Sequence, residues 1–106
     1  GLFDGFMSSG RAINLRKSLA KIKPDLKRLY IDKYYWSFSK KLDDLFNDFE
    51  DMKANMTLKA QKKYLLDTFF EGEKLLDKVS SSFLHLNTQL STPVTATLTS
   101  FFNFAT

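Results

Sequence analysis

Leu26, Tyr30, Tyr34, Phe38, Leu42, Leu45, Phe49 and Met52 recur at steps of four and three over 27 residues. That is the period of one helix face; a strand face repeats every second residue. Leu29, Trp36 and Phe46 add a second apolar row, while Asp43, Asp44, Asn47 and Asp48 fall largely off it. A helix over 24–52 is roughly 40 Å long at 1.5 Å per residue, with a kink or break expected near Ser37–Ser39. A chain of 106 residues has room for one compact core. Two Pro and four Gly are too few for a turn-rich all-β fold.

Three more helices are predicted around this one. Ala12, Leu15, Leu19 and Ile22 carry a helical period over 11–22, and Lys23-Pro24-Asp25 is expected to end that helix and open the next. Asn55 or Thr57 is placed to cap a third helix over 57–86, with Tyr64 or Leu65, Phe69, Leu76, Val79, Phe83 and Leu86 on its stripe. Gly72 falls on the same stripe, which marks close packing or a groove wall. Asn87 to Thr92 reads as a turn, and Thr92-Pro93 as the start of a short helix over 93–104. Short connections make successive helices antiparallel neighbours. The fold class is therefore a small all-α, antiparallel bundle of about four helices over 11–106, preceded by a flexible arm at 1–10. A diffuse repeat at an offset of 35 aligns Lys27–Tyr35 with Lys62–Phe70, although any two amphipathic helices align comparably.

Charge is uneven along the chain. Residues 1–41 hold ten basic and three acidic residues, 42–78 six basic and nine acidic, and 79–106 none of either sign. The uncharged last quarter is not a membrane span, because Ser and Thr interrupt it throughout. The first ten residues lack the basic region and apolar core of a signal peptide, so a secreted chain would have lost its leader already.

Few residues carry reactive chemistry. There is no Cys and one His, which removes disulfides, thiolate sites and a His-based metal centre. His85 lies between Leu84 and Leu86 with no carboxylate near it in sequence, and Ser80, Ser81 and Ser82 are not at a nucleophile elbow. Asp43, Asp44, Asp48, Glu50 and Asp51 lack the Gly and ligand spacing of a calcium loop and read as a solvated face. No enzyme activity, catalytic residue, metal or cofactor is expected.

Binding is the function class left. Eleven Phe, four Tyr and one Trp overfill a small bundle unless they pack well or enclose something. One reading is a carrier of a fatty acid or similar apolar ligand, lined by Phe38, Leu42, Phe46, Phe69, Phe83, Phe101 and Phe102. Arg16, Lys23 or Lys27 would then pair the ligand's carboxylate or another anion. The plainer reading of the same rings is an ordinary aromatic core without a cavity. The alternatives are a protein partner or homo-oligomer on the uncharged C-terminal helix, or a membrane surface or nucleic acid on the basic N-terminal half. Seven cations over residues 11–28 face only Asp25, but they scatter around the helices and no nucleic-acid motif surrounds them. Leu2, Phe3 and Phe6 form an apolar tip suited either to a loose terminus or to a bilayer interface. Asn55-Met56-Thr57 is an N-glycosylation triplet at a helix connection, and the Thr-rich stretch at 91–100 is a further candidate for glycans.

Ile22-Lys23-Pro24-Asp25-Leu26-Lys27-Arg28 and Thr57-Leu58-Lys59-Ala60-Gln61-Lys62-Lys63-Tyr64-Leu65-Leu66 each show a short polar start, then cations and an apolar run. These segments resemble the helix openings of the nematode fatty-acid- and retinol-binding proteins. The resemblance covers about half of the chain and implies a secreted, all-helical, non-catalytic lipid binder. The chain is shorter than typical members and its last 28 residues are uncharged. No individual binding residue carries over.

Overall fold

Each of the four amphipathic segments is helical in the computed structural model, which describes residues 4–5, 10–82 and 84–105. Helix α1 spans Gly10–Arg28, α2 Asp32–Asn55, α3 Leu58–Ser82 and α4 Leu84–Ala105. No strand occurs among the described residues. Successive helices are antiparallel: Arg16 meets Asp43 between α1 and α2, Tyr64 meets Lys41 between α2 and α3, and Phe69 meets Phe102 between α3 and α4. Helix α4 closes the bundle on α1, where the Arg11 guanidinium donates to the Ser100 hydroxyl (3.1 Å) and the Thr97 hydroxyl donates to the Arg11 carbonyl (3.1 Å). The result is an up-down-up-down bundle measuring 39 × 20 × 19 Å.

Both prolines lie inside helices, against expectation. Pro24 does not separate α1 from α2, and Pro93 does not begin α4; residues 87–92 are helical. An interior Pro costs about 3 kcal/mol. Here it is flanked by side chains that leave water completely or nearly so, Ile22 and Leu26 around Pro24 and Leu90 and Val94 around Pro93. Each such burial is worth about 1.5–3 kcal/mol, enough to hold the helix across the break in its hydrogen bonding. Helix α2 likewise runs without interruption through Ser37–Ser39.

The turn between α1 and α2 instead falls at 29–31. The Ile31 N–H donates to the Leu26 carbonyl and the Tyr30 N–H to the Lys27 carbonyl, both at 3.1 Å. This pair of bonds is a Schellman cap, with apolar Ile31 and Leu26 as its hydrophobic contact. Its left-handed position is filled by Tyr30 at φ 61°, a residue 89 % exposed. Such a backbone costs an L-residue about 1–2 kcal/mol and glycine almost nothing. Tyr30→Gly is therefore expected to raise the urea midpoint by the equivalent of about 1 kcal/mol; an unchanged or lowered midpoint would show that the Tyr30 ring contributes more than its exposure suggests. The turn also cuts through Lys27–Tyr35, whereas Lys62–Phe70 lies wholly within α3, so the offset of 35 has no structural counterpart.

Thr57 caps α3, its hydroxyl oxygen accepting from the Ala60 N–H (3.1 Å). The buried face of α3 is Leu65, Thr68, Gly72, Leu75 and Val79. Gly72 lies in the middle of this face. A Cβ there would stand 2.5 Å from Leu98 Cδ2 and 3.0 Å from Phe38 Cε1 and Cζ, so α3 passes its neighbours at van der Waals limits. With this row turned inward, Phe69 and Leu76 lie at the rim of the core and Phe70 is 52 % exposed.

Candidate ligand groove between α3 and α4

The seven proposed lining residues fall into separate places. Phe38, Leu42 and Phe101 are completely buried, and the Phe38 and Phe101 rings meet edge to face at 6.3 Å. They fill the core. Phe46 lies partly buried at the α1–α2 side, under the Arg16 guanidinium at 4.3 Å. Phe69 and Phe102 are brought together between α3 and α4, their ring centroids 6.1 Å apart. Phe83 lies outside the described residues, as does the side chain of His85.

The proposed anion-binding cations sit elsewhere. Arg16 pairs with Asp43 (3.0 Å). The Lys23 ammonium stands 4.4 Å from the Trp36 ring centroid. Lys27 is exposed at the end of α1. All three belong to α1, which packs on α2 and α4, whereas Phe69 and Phe102 meet between α3 and α4. The acidic stretch of α2 is a solvated face whose charges are partly matched: Asp44 pairs with Lys40 (3.1 Å) and Glu50 with Lys53 (3.4 Å). Asp4 also reaches Lys53 (3.0 Å), and this contact lowers the Asp4 carboxyl below its ordinary range and raises Lys53. None of the described residues forms a group of three His, Asp or Glu placed to hold a metal ion.

A groove of about 540 Å³ runs along the outside of the α3–α4 pair. Its apolar surface comes from Phe69 and Leu76 of α3 and Leu98 and Phe102 of α4. Ser80, Thr95 and Thr99 supply hydroxyls, and Glu73 and Asp77 line its α3 side. The Phe69 ring continues to Phe70 at 5.5 Å, so three phenylalanines form a connected row from this groove onto the outer face of α3. Phe70 lines a second, wider hollow of about 850 Å³ with Lys41, Asp67, Glu71 and Lys74, which shares Glu73 and Asp77 with the first.

Phe70, Leu76 and the carboxylates were not assigned to the site from sequence. The deciding feature is the row Leu65, Thr68, Gly72, Leu75 and Val79: a helix that buries this row leaves Phe69 and Leu76 at its edge and puts Phe70, Glu73 and Asp77 on the outer side. Beyond the groove, Tyr64 is a structural anchor. Its hydroxyl donates to the Lys41 carbonyl (2.6 Å), and burial, reinforced by Asp44 and Asp48, pushes its ionisation well above the ordinary tyrosine range. Asn55 is exposed as the last residue of α2, and Thr57 is exposed two residues on, so the glycosylation triplet lies at the surface.

No family model matches the chain, and no curated protein or solved structure does either.

Proposed function

We propose that this is a non-catalytic binding protein that takes an apolar, chain-like ligand into the groove between α3 and α4. The supporting observation is the row of touching rings Phe70, Phe69 and Phe102, two of them about half exposed, beside an open groove with Leu76 and Leu98 in its wall. Aromatic side chains bury large areas, and covering their remaining surface with a ligand is favourable at about 25 cal/mol per Å². Hydroxyls and carboxylates around an apolar trough are the few polar groups that orient a bound molecule. The site differs from a closed carrier cavity, because Phe38, Leu42 and Phe101 occupy the interior themselves.

Nile red, an uncharged dye, tests the reading. It is expected to bind with a blue-shifted emission at micromolar protein, and Phe102→Ser is expected to weaken it about tenfold, or ~1.4 kcal/mol. Trp36→Ser, at the opposite side of the bundle, should leave it unchanged. Absence of a shift, or equal loss in both variants, would sink the proposal. A second reading is favoured by the exposed face of α4, which carries Thr92, Thr95, Thr99, Phe102 and Asn103 and no charge. Charge-poor, aromatic surfaces suit protein contacts. Light scattering that shows self-association without dye binding would support that reading instead.

A further inference from the structure

We propose that the groove selects a lipophilic cation, an amine or quaternary ammonium on an apolar chain, over a fatty-acid anion. The inference rests on the groove being a ligand site as argued above, and it names the ligand's charge. Glu73 and Asp77 stand one turn apart on α3, and both line the α3–α4 groove and the adjoining hollow. Neither has an ion-pair partner among the described residues, although most carboxylates of this chain have one.

Lys41 and Lys74 share the adjoining hollow with the pair but make no ion pair with it, the Lys41 ammonium standing 5.1 Å from the Tyr64 ring centroid. Lys74 pairs with Glu71 at 3.3 Å, and the Lys78 ammonium stands 5.3 Å from the Tyr34 ring centroid. No Lys or Arg lines the α3–α4 groove. A carboxylate ligand would therefore lie beside two like charges and meet no counter-charge. An ammonium would meet two carboxylates next to Phe69 and Phe102, whose ring faces attract cations. Its chain would lie along Leu76 and Leu98. The protein's net charge of +4 acts the other way and draws anions in general. A cation preference would thus report the local arrangement of the groove and not the overall field.

The experiment displaces Nile red from the full chain with three amphiphiles of equal chain length, each below its micelle concentration: dodecyltrimethylammonium, dodecyl maltoside and dodecanoate. The ammonium is expected to displace the dye at a concentration about tenfold lower than dodecanoate, with the gap narrowing as salt screens the carboxylates. Glu73→Gln with Asp77→Asn is expected to abolish the gap, each displacement being referred to that variant's own Nile red affinity. Both side chains are solvent-exposed on a helix surface, and each single variant, checked by circular dichroism, should close part of the gap. If dye binds and dodecanoate displaces it as well as the ammonium does, the cation inference is overturned while the groove stands. A gap that persists in the neutralised variants overturns it too, because the preference would then arise elsewhere. If no dye binds, the groove itself fails as a site and this inference falls with it.

Discussion

Phe38→Ala is expected to lower the free energy of unfolding by about 3–5 kcal/mol, read as a fall in the urea midpoint at unchanged slope. Phe38 has no exposed surface, meets Phe101 edge to face, and has its ring tips against the α3 backbone at Gly72. Truncation removes the ring's burial and leaves a void bounded by Phe101 and the α3 backbone, which helices already in contact cannot fill by collapsing. A domain of this size has about 5–15 kcal/mol in total, so the variant is expected to sit near the edge of folding at room temperature. Phe38→Leu keeps most of the volume and should cost clearly less. The experiment also separates core from pocket. A ligand-lining Phe38 would tolerate truncation with little loss of stability and a large loss of dye binding; a core Phe38 gives the reverse. A loss under about 1 kcal/mol would mean that the centre of the bundle is loosely packed.

The helical periods were legible because each segment carries its stripe in the residues that end up buried. Leu15, Leu19 and Ile22 of α1, Phe38, Leu42 and Leu45 of α2 and Val94, Leu98 and Phe101 of α4 are all in the core. The helix ends were less legible. Proline marks a local cost, but the burial of Leu26 and Leu90 beyond each proline outweighs it, and that term exists only once the bundle is assembled. The turn at Tyr30 carries no Gly or Asn to announce its left-handed backbone. The aromatic rows were hardest to divide. Phe38, Phe69 and Phe102 look alike in a periodicity count, and only the rotation of each helix within the assembled bundle decides which rings face inward. In α3 the inward face is the row Leu65, Thr68, Gly72, Leu75 and Val79, which the packing of the other helices selects. The two acidic residues of the groove were hidden for the same reason: their significance depends on where Phe69 and Phe102 point and on the lysines beside them turning away.

Gly72→Val should cost about 2–3 kcal/mol, against the ordinary rule that replacing a mid-helix glycine stabilises. Two effects of Gly72→Ala nearly oppose each other. Removing glycine's backbone freedom gains about 1 kcal/mol, while the added Cβ falls 2.5 Å from Leu98 Cδ2 and 3.0 Å from the Phe38 ring. Leu98 Cδ2 is the end of a flexible side chain and can swing aside; the Phe38 ring, held against Phe101, has far less freedom. Alanine is therefore expected to lose about 1 kcal/mol or less, and valine, with two further methyls and a stiff χ1, the larger amount. If the Leu98 clash is the cause, Gly72→Ala and Leu98→Val should be coupled. The double variant should be more stable than the sum of the singles predicts, by about 0.5–1 kcal/mol in a double-mutant cycle. Strict additivity would mean that α3 shifts as a body instead. Such a shift should also appear in dye binding, because Leu98 is at once the residue that Gly72 touches and part of the groove wall. The tight approach of Gly72 to Leu98 thus ties the packing of α3 to a wall of the proposed groove, so that stability and binding are expected to change together at this position.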